Sequence, residues 1–350
     1  MEEFFMKSNN PKELGYVVIT DYVEANTGKD VSDEIQKVIN ENPMKTIYFP
    51  DGEYILAKPI ATSGKPATSV CLHLSNFAIL KASDDWSDEE AMVRLGAAEP
   101  YNTIYENGSN CYFYGGIVDG NMIAKGIAIE SGRETSVRNV SIKHTTIGLH
   151  VKRGANNGSS DADIETVNIV GNNMKDSIGV LVEGYDNTFT NMRIAAVQTG
   201  IMSKSGGNYY RNIHPLYIYG GEYRKETDIN FEDSVAFHDF NSTNWYDYCY
   251  SDQLATGFRF SADGARPILI NCFAMWYSPR GNKEVAIQCD GRFCASVNNI
   301  RVHFRGDTTN NALLIEGAEG GTGFFESPVI DENLIQDKTY TKYIKGKVVW

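Results

Sequence analysis

Eight short stretches share one design, a small residue set among alternating apolar positions. They are "GIAI" at Gly126, "GLHV" at Gly148, "GVLV" at Gly179, "GIMS" at Gly200, "VAFH" at Ala236, "GFRF" at Gly257, "VAIQ" at Ala286 and "ALLI" at Ala312. The small residues are 22, 31, 21, 36, 21, 29 and 26 positions apart, the irregular period of a solenoid whose loops vary in length. A second short strand precedes several of them: "VRNVSI" (137–142), "IETVNI" (164–169), "FTNMRI" (189–194) and "VNNIRV" (297–302). A unit of two or three short strands cannot bury its own apolar face, so coils must stack with like strands aligned in parallel. The rival is an antiparallel sandwich or barrel, for which "DG" at 51, 119, 263 and 290 and "NG" at 107 and 157 are the hairpin signals. Asparagines between coils, such as Asn139, Asn191 and Asn299, are expected to continue hydrogen bonding through the turns.

The chain opens differently. An apolar strand "YVVIT" leads to "VSDEIQKVI", where Val31, Ile35, Val38 and Ile39 make one apolar stripe on a short helix that Asp30 or Ser32 can cap and that Asn40 and Pro43 can end. Two strands divided by Pro50, Asp51 and Gly52 follow in "KTIYFPDGEYIL". The helix is expected to plug the open end of the stack. The organisation read from this is a tail (1–14), a solenoid (15–335) with its cap and first coil at 15–57 and a long loop insertion at 219–256, and a C-terminal strand or cap (336–350).

Thirty-two basic residues against 45 acidic ones give a net charge of −13, which argues against nucleic acid as a partner. Six cysteines stand without a C-x-x-C pair, so no zinc or redox site is indicated. Carboxylates are plentiful enough for calcium, but nothing specifies it, and no metal or cofactor is assigned. With no basic start before an apolar stretch and no membrane-length run, the sequence as it stands reads as cytoplasmic, or as secreted if a leader was removed, with no membrane partner.

The stretch "VVITDYVEANTGKDVSDEIQKVINENPMKTIYFPDGEYIL" resembles the N-terminal signature of the pectate-lyase-like superfamily. That signature has an aspartate-aromatic strand, a capping helix and a "Y-[FV]-P-x-G-x-Y" strand pair. This chain has "YVEAN" where the family has Gly-Ala after the aspartate-aromatic pair. The resemblance implies an all-β, right-handed parallel β-helix with a short N-terminal capping helix. It implies a polysaccharide or oligosaccharide partner handled by a hydrolase, a lyase or a tailspike-like module, the last of which would be a homotrimer.

Glycan cleavage needs paired carboxylates or a basic residue beside a uronate. "SSDADIETV" holds Asp161 and Asp163 two apart, on one face if extended, and "MKDSIGVLVEG" holds Asp176 and Glu183 one coil later. Both resemble polygalacturonase motifs, which implies catalytic roles for Asp161 or Asp163 and for Asp176, although Lys175 replaces one paired aspartate and the family's histidine and "R-I-K" are missing. A lyase would use Lys152 and Arg153 in "HVKRG", with Lys152 on the face of His150. Residues 219–253 mix aromatics with acids, offering Asp233 and His238 for catalysis and Trp245 and Tyr246 for stacking, with Trp276 and Arg280 on the same face. Hydrolysis is the favoured activity, β-elimination or glycan binding the alternatives.

Overall fold

The alternation resolves into parallel strands, and each turn of the chain lays one strand on each of three faces. Ser136–Arg138, Ser141–Thr145 and Ile147–Val151 form one coil. Asp163–Glu165, Asn168–Gly171 and Ile178–Val182 form the next, and like strands pair in parallel. This computed structural model describes residues 10–101, 106, 110–154, 159–217, 227–241, 243–277, 284–292 and 296–304, with the backbone of four later strands. The third face is a ten-stranded sheet, while the first and second merge where Thr188–Ala195 and Tyr209–Leu216 run through the corner. The fold is a right-handed parallel β-helix, and no antiparallel strand pairing joins the named strands among the described residues.

Stacked side chains fill the interior. Val137, Ile164, Phe189, Tyr210 and Tyr246 stand in register on the first face, and the rings of Phe189, Tyr210 and Tyr246 stack at 5.0 Å per step. The recurrent small residues have a steric cause. Ile127, Leu149, Val180, Ile201, Phe237, Phe258 and Ile287 share one register on the third face, so the glycine or alanine before each forms a column. A Cβ added at Gly126, Gly148 or Gly200 would lie 2.5–2.7 Å from the carbonyl oxygen of the next column member. The last marker departs from the pattern, because Ala312 pairs with Glu284, two positions before Ala286.

One residue turns the chain between the first and second faces. Asn139, Asn191, Asn212, Asn271 and Asn299 do so with φ of 51–56°, and the amides of Asn212 and Asn299 donate to Asn191 and Asn271 at 2.8 and 2.7 Å. Asparagine suits this left-handed conformation; Thr166 and Tyr248, at φ 55° and 54°, do not. Thr166→Asn is therefore expected to stabilise the protein by about 1 kcal/mol, read as a raised Tm.

Helix Ser32–Glu41 closes the N-terminal end with Ile35, Val38 and Ile39 buried. It runs one residue past Asn40, and Asn42 Nδ2 donates to the Val38 carbonyl at 2.8 Å. Asp30 accepts from the Ser32 and Ala57 backbone amides at 3.0 Å, tying the helix start to the first coil. Gln36 completes the seal: its Nε2 donates to the Ala61 carbonyl at 2.8 Å and its Oε1 accepts from the Ala61 amide at 2.7 Å. One side chain thus takes the place of a neighbour for the edge strand Ile60–Ala61. Gln36→Ala should cost about 1–3 kcal/mol by leaving both groups unmatched, measurable as a lowered Tm.

Of the insertion expected at 219–256, residues 219–226 and 242 lie outside the described residues, while most of the rest is regular coil rather than loop. Val235–Asp239, Trp245–Asp247 and Tyr250–Asp252 continue the three faces, because their alternation follows the same inward and outward register as the coils before them.

Candidate functional site

Register sorts the outward side chains of the first face into two columns. Cys71, Tyr112, Ser136 and Asp163 occupy one, and His73, Tyr114, Arg138 and Glu165 the other. A cleft of about 670 Å³ opens over all of these but Glu165, with Tyr16, Glu134 and Asp161 on its border. Tyr112 and Tyr114 are 44% and 42% exposed, enough to offer ring surface to a ligand. His73 braces the wall edge-on, its ring centroid 5.1 Å from Tyr114, 5.4 Å from Tyr48 and 6.0 Å from Tyr16. Burial holds His73 below the usual histidine range, which keeps this wall uncharged at neutral pH. Burial also pushes the Cys71 thiol up to about 11, against a hydrogen bond with Thr46, which keeps it in the thiol form at neutral pH.

The cleft brings together two of the carboxylates anticipated as catalytic. Asp161, in a turn at φ 60°, accepts from Arg133 Nε at 2.8 Å. Asp163, at the start of its strand, accepts from Arg138, whose other terminal nitrogen is 3.7 Å from Glu165. Glu134, which sequence reading missed, accepts from the uncharged amide of Asn110 at 3.2 Å. Tyr112, Tyr114, His73 and Arg138 were also missed; "YFY" at 112–114 alternates out-in-out, which was the available signal.

Lys152, Glu183 and His238 lie elsewhere, on the third face. Lys152 Nζ is held between Glu90 at 2.5 Å and Glu130 at 3.0 Å, while Glu130 also accepts from Arg94 Nε and Nη2 at 2.7 and 3.0 Å. Burial alone would raise the Glu130 carboxyl, but Arg94 and Lys152 outweigh it and hold it below its usual range. His150 shares this face with Lys152, as alternation required, and lies 3.0 Å from Glu183, which also meets Lys204 at 3.4 Å. Burial pushes His150 down in spite of Glu183. His238 is 2.8 Å from Ser261 Oγ, and Ser261 donates to Asp290 at 2.5 Å, so His238 Nε2 carries the proton of that bond. Burial, then the Arg259 charge, brings His238 down to about 4, leaving it neutral at neutral pH and a base rather than an acid.

The remaining expectations separate. Asp176, in a turn, and Asp233, at the end of the 3-10 helix Phe231–Asp233, are exposed away from the cleft; Asp233 accepts from Asn230 at 2.5 Å. Arg153 is exposed beyond its strand. Trp245 stands outward on the first face, 39% exposed. Tyr246 and Trp276 do not meet a ligand: both are 1% exposed, Tyr246 donating to Asp239 at 2.8 Å and Trp276 Nε1 to the Leu254 carbonyl at 2.8 Å. Their aromatic character serves the core, since each is one position out of phase with the outward columns. Arg280 falls outside the described residues. Among the described residues no cluster of three or more His, Cys, Asp or Glu could hold a metal ion, and no helix is long and apolar enough to cross a membrane.

Residues 16–223 match the family model for rhamnogalacturonase A/epimerase, pectate lyase-like. The chain belongs to this family. The match runs from the N-terminal strand through the coils that carry the cleft and both of its aspartates. No curated protein matches the sequence. Among solved structures, ORF18 of Geobacillus virus E2 is similar at TM-score 0.62 and 12% identity, over 91% of this chain and 63% of that one. The catalytic domain of a GH87 alpha-1,3-glucanase in complex with tetrasaccharides is similar at TM-score 0.55 and 14% identity, over 92% of this chain and 61% of that one. The tailspike protein of E. coli bacteriophage HK620, in complex with a pentasaccharide, is similar at TM-score 0.52 and 11% identity, over 95% and 69%. This chain thus spans about three fifths of the first two, and the likeness to all three is one of fold.

Proposed function

We propose that this family member is a carbohydrate-active enzyme and that it hydrolyses glycosidic bonds in the first-face cleft. The observation that carries the reading is the meeting of Glu134, Asp161 and Asp163 with the exposed rings of Tyr112 and Tyr114 in one cleft. Rings stack on the C–H faces of sugars, and carboxyl groups on either side of a bond supply acid and base. Asp163, gripped by Arg138, is assigned the carboxylate that assists attack. Glu134, whose partner is an uncharged amide, is assigned the proton donor, and Asp161 with Arg133 frames the border. The fold relatives solved in complex with oligosaccharides support a glycan as the ligand. Lys152 speaks against β-elimination, since two carboxylates occupy the ammonium that would serve as base.

The test is a screen on neutral and uronic-acid glycans that reads new reducing ends and the ultraviolet absorbance of unsaturated products. Hydrolysis gives reducing ends without absorbance, and Glu134→Gln or Asp163→Asn should lower the rate about 10²–10⁴-fold. Absorbance would make the protein a lyase. Binding without either product would make it a glycan-binding module.

A further inference from the structure

The first face does not end at the cleft. Tyr112, Ser136, Asp163, Thr188, Tyr209 and Trp245 follow one another in a single outward column, one coil per step. At about 4.8 Å per step the five steps cover about 24 Å along the helix axis. Ring surface stands at both ends of the column, with Tyr112 44% and Trp245 39% exposed. Short polar side chains, Ser136, Asp163 and Thr188, occupy the middle of the stretch, and Tyr209 stands next to Trp245. A second depression of about 570 Å³ lies beside this middle stretch, bordered by Glu165, Thr190, Arg211 and Tyr248. Tyr248 is 58% exposed at a corner with φ 54°, a conformation that an asparagine fills with less strain in most coils. A bulky ring kept in that backbone conformation, facing a depression, points to a use for the ring.

We propose that the first face is one continuous binding track for an extended, uncharged saccharide chain, seated on Tyr112 at one end and on Trp245 at the other. This rests on reading the cleft as a saccharide site. The preference for an uncharged chain comes from the charges along the track. Five carboxylates, Glu134, Asp161, Asp163, Glu165 and Asp247, accompany three guanidiniums, Arg133, Arg138 and Arg211. Each guanidinium already faces a carboxylate of the set, with Arg211 Nε 3.6 Å from Asp247, so the face has no surplus positive charge for a uronate.

The probe is a panel of soluble neutral polysaccharides and their oligosaccharide series, with acidic polysaccharides in parallel, read by affinity electrophoresis and tryptophan fluorescence. Affinity should rise with oligosaccharide length until a chain spans the track. Trp245→Ala and Tyr112→Ala should each weaken the long chains about tenfold, and a bound long chain should shift the tryptophan emission. Equal loss on short and long chains in Trp245→Ala would overturn the track, as would retention by acidic polysaccharides alone, while leaving a saccharide-active protein in place. Retention of none of the panel overturns it too. So does a free protein whose Trp245 is shielded from acrylamide, since a second copy would then cover that end.

Discussion

Raising the pH from about 4 to about 7 is expected to destabilise the protein through Asp239, by about 3 kcal/mol, and Asp239→Asn is expected to remove that loss. Asp239 is fully buried inside the coil stack. It accepts from the Asn241 amide at 2.8 Å, from Asn244 Nδ2 at 3.0 and 3.1 Å and from the Tyr246 hydroxyl at 2.8 Å. Burial outweighs these bonds and raises the carboxyl from its ordinary 3.8 to about 6. The nearby titratable groups, Tyr210 and Tyr246, are raised well above 10 and stay neutral throughout. Between the two Asp239 values the unfolded chain has released its proton while the folded chain still holds it. Stability from this group is therefore complete below about 3.8 and lost as the pH passes about 6. A gap of about two units at about 1.4 kcal/mol each gives the 3 kcal/mol. Thermal melts of both proteins across the range test it through the change in their Tm difference, which cancels every other titrating group. A difference that stays constant with pH would mean that Asp239 does not keep its proton in the fold.

Gly179→Val should cost about 3 kcal/mol or more, among the larger effects open to a single residue. The new Cβ would sit 2.5 Å from the Gly200 carbonyl oxygen and closer still to the Ile194 methyl group. A backbone oxygen cannot rotate out of the way as a side chain can, so the coils themselves would have to part. Replacing Gly28 makes the contrast, because nothing lies within 4 Å of its missing side chain and only its φ of 68° opposes a substitution. A Gly179→Val protein that melts with the wild type would show that the spacing between coils is not set by this column.

That same column is why the fold could be read from sequence. A small residue is forced wherever the third-face strands of successive coils stack on one another's backbone, so it recurs at Gly126, Gly148, Gly179, Gly200 and Gly257 whatever the loops between do. The helix stripe was legible for a similar reason, since Ile35, Val38 and Ile39 point to one side at helical spacing. The site was legible only where it repeated a local pattern. Asp161 and Asp163 drew notice as neighbours, but Glu134, Tyr112 and Asp163 come from three successive coils and meet only through a register that loop lengths conceal. Tyr246 and Trp276 misled for the converse reason. An aromatic residue beside acids looks like a sugar platform in one dimension, while a phase difference of one position turns it into the core.

The third-face row has a bearing on how such a chain can change length. Glu130, Lys152, Glu183 and Lys204 follow the register pairs of Ile129, Val151, Val182 and Ser203, so successive coils present opposite charges at one position. Excising the single coil that carries Lys152 would set Glu130 against Glu183, a like-charge contact where an ion pair of 3.0 Å now stands. Excising two would leave Glu130 beside Lys204 and restore the pairing. Across this row the charges therefore have a parity: removing coils in twos keeps acid beside base in the row, and removing one does not, although either cut also takes away the Lys152 partner of Glu90.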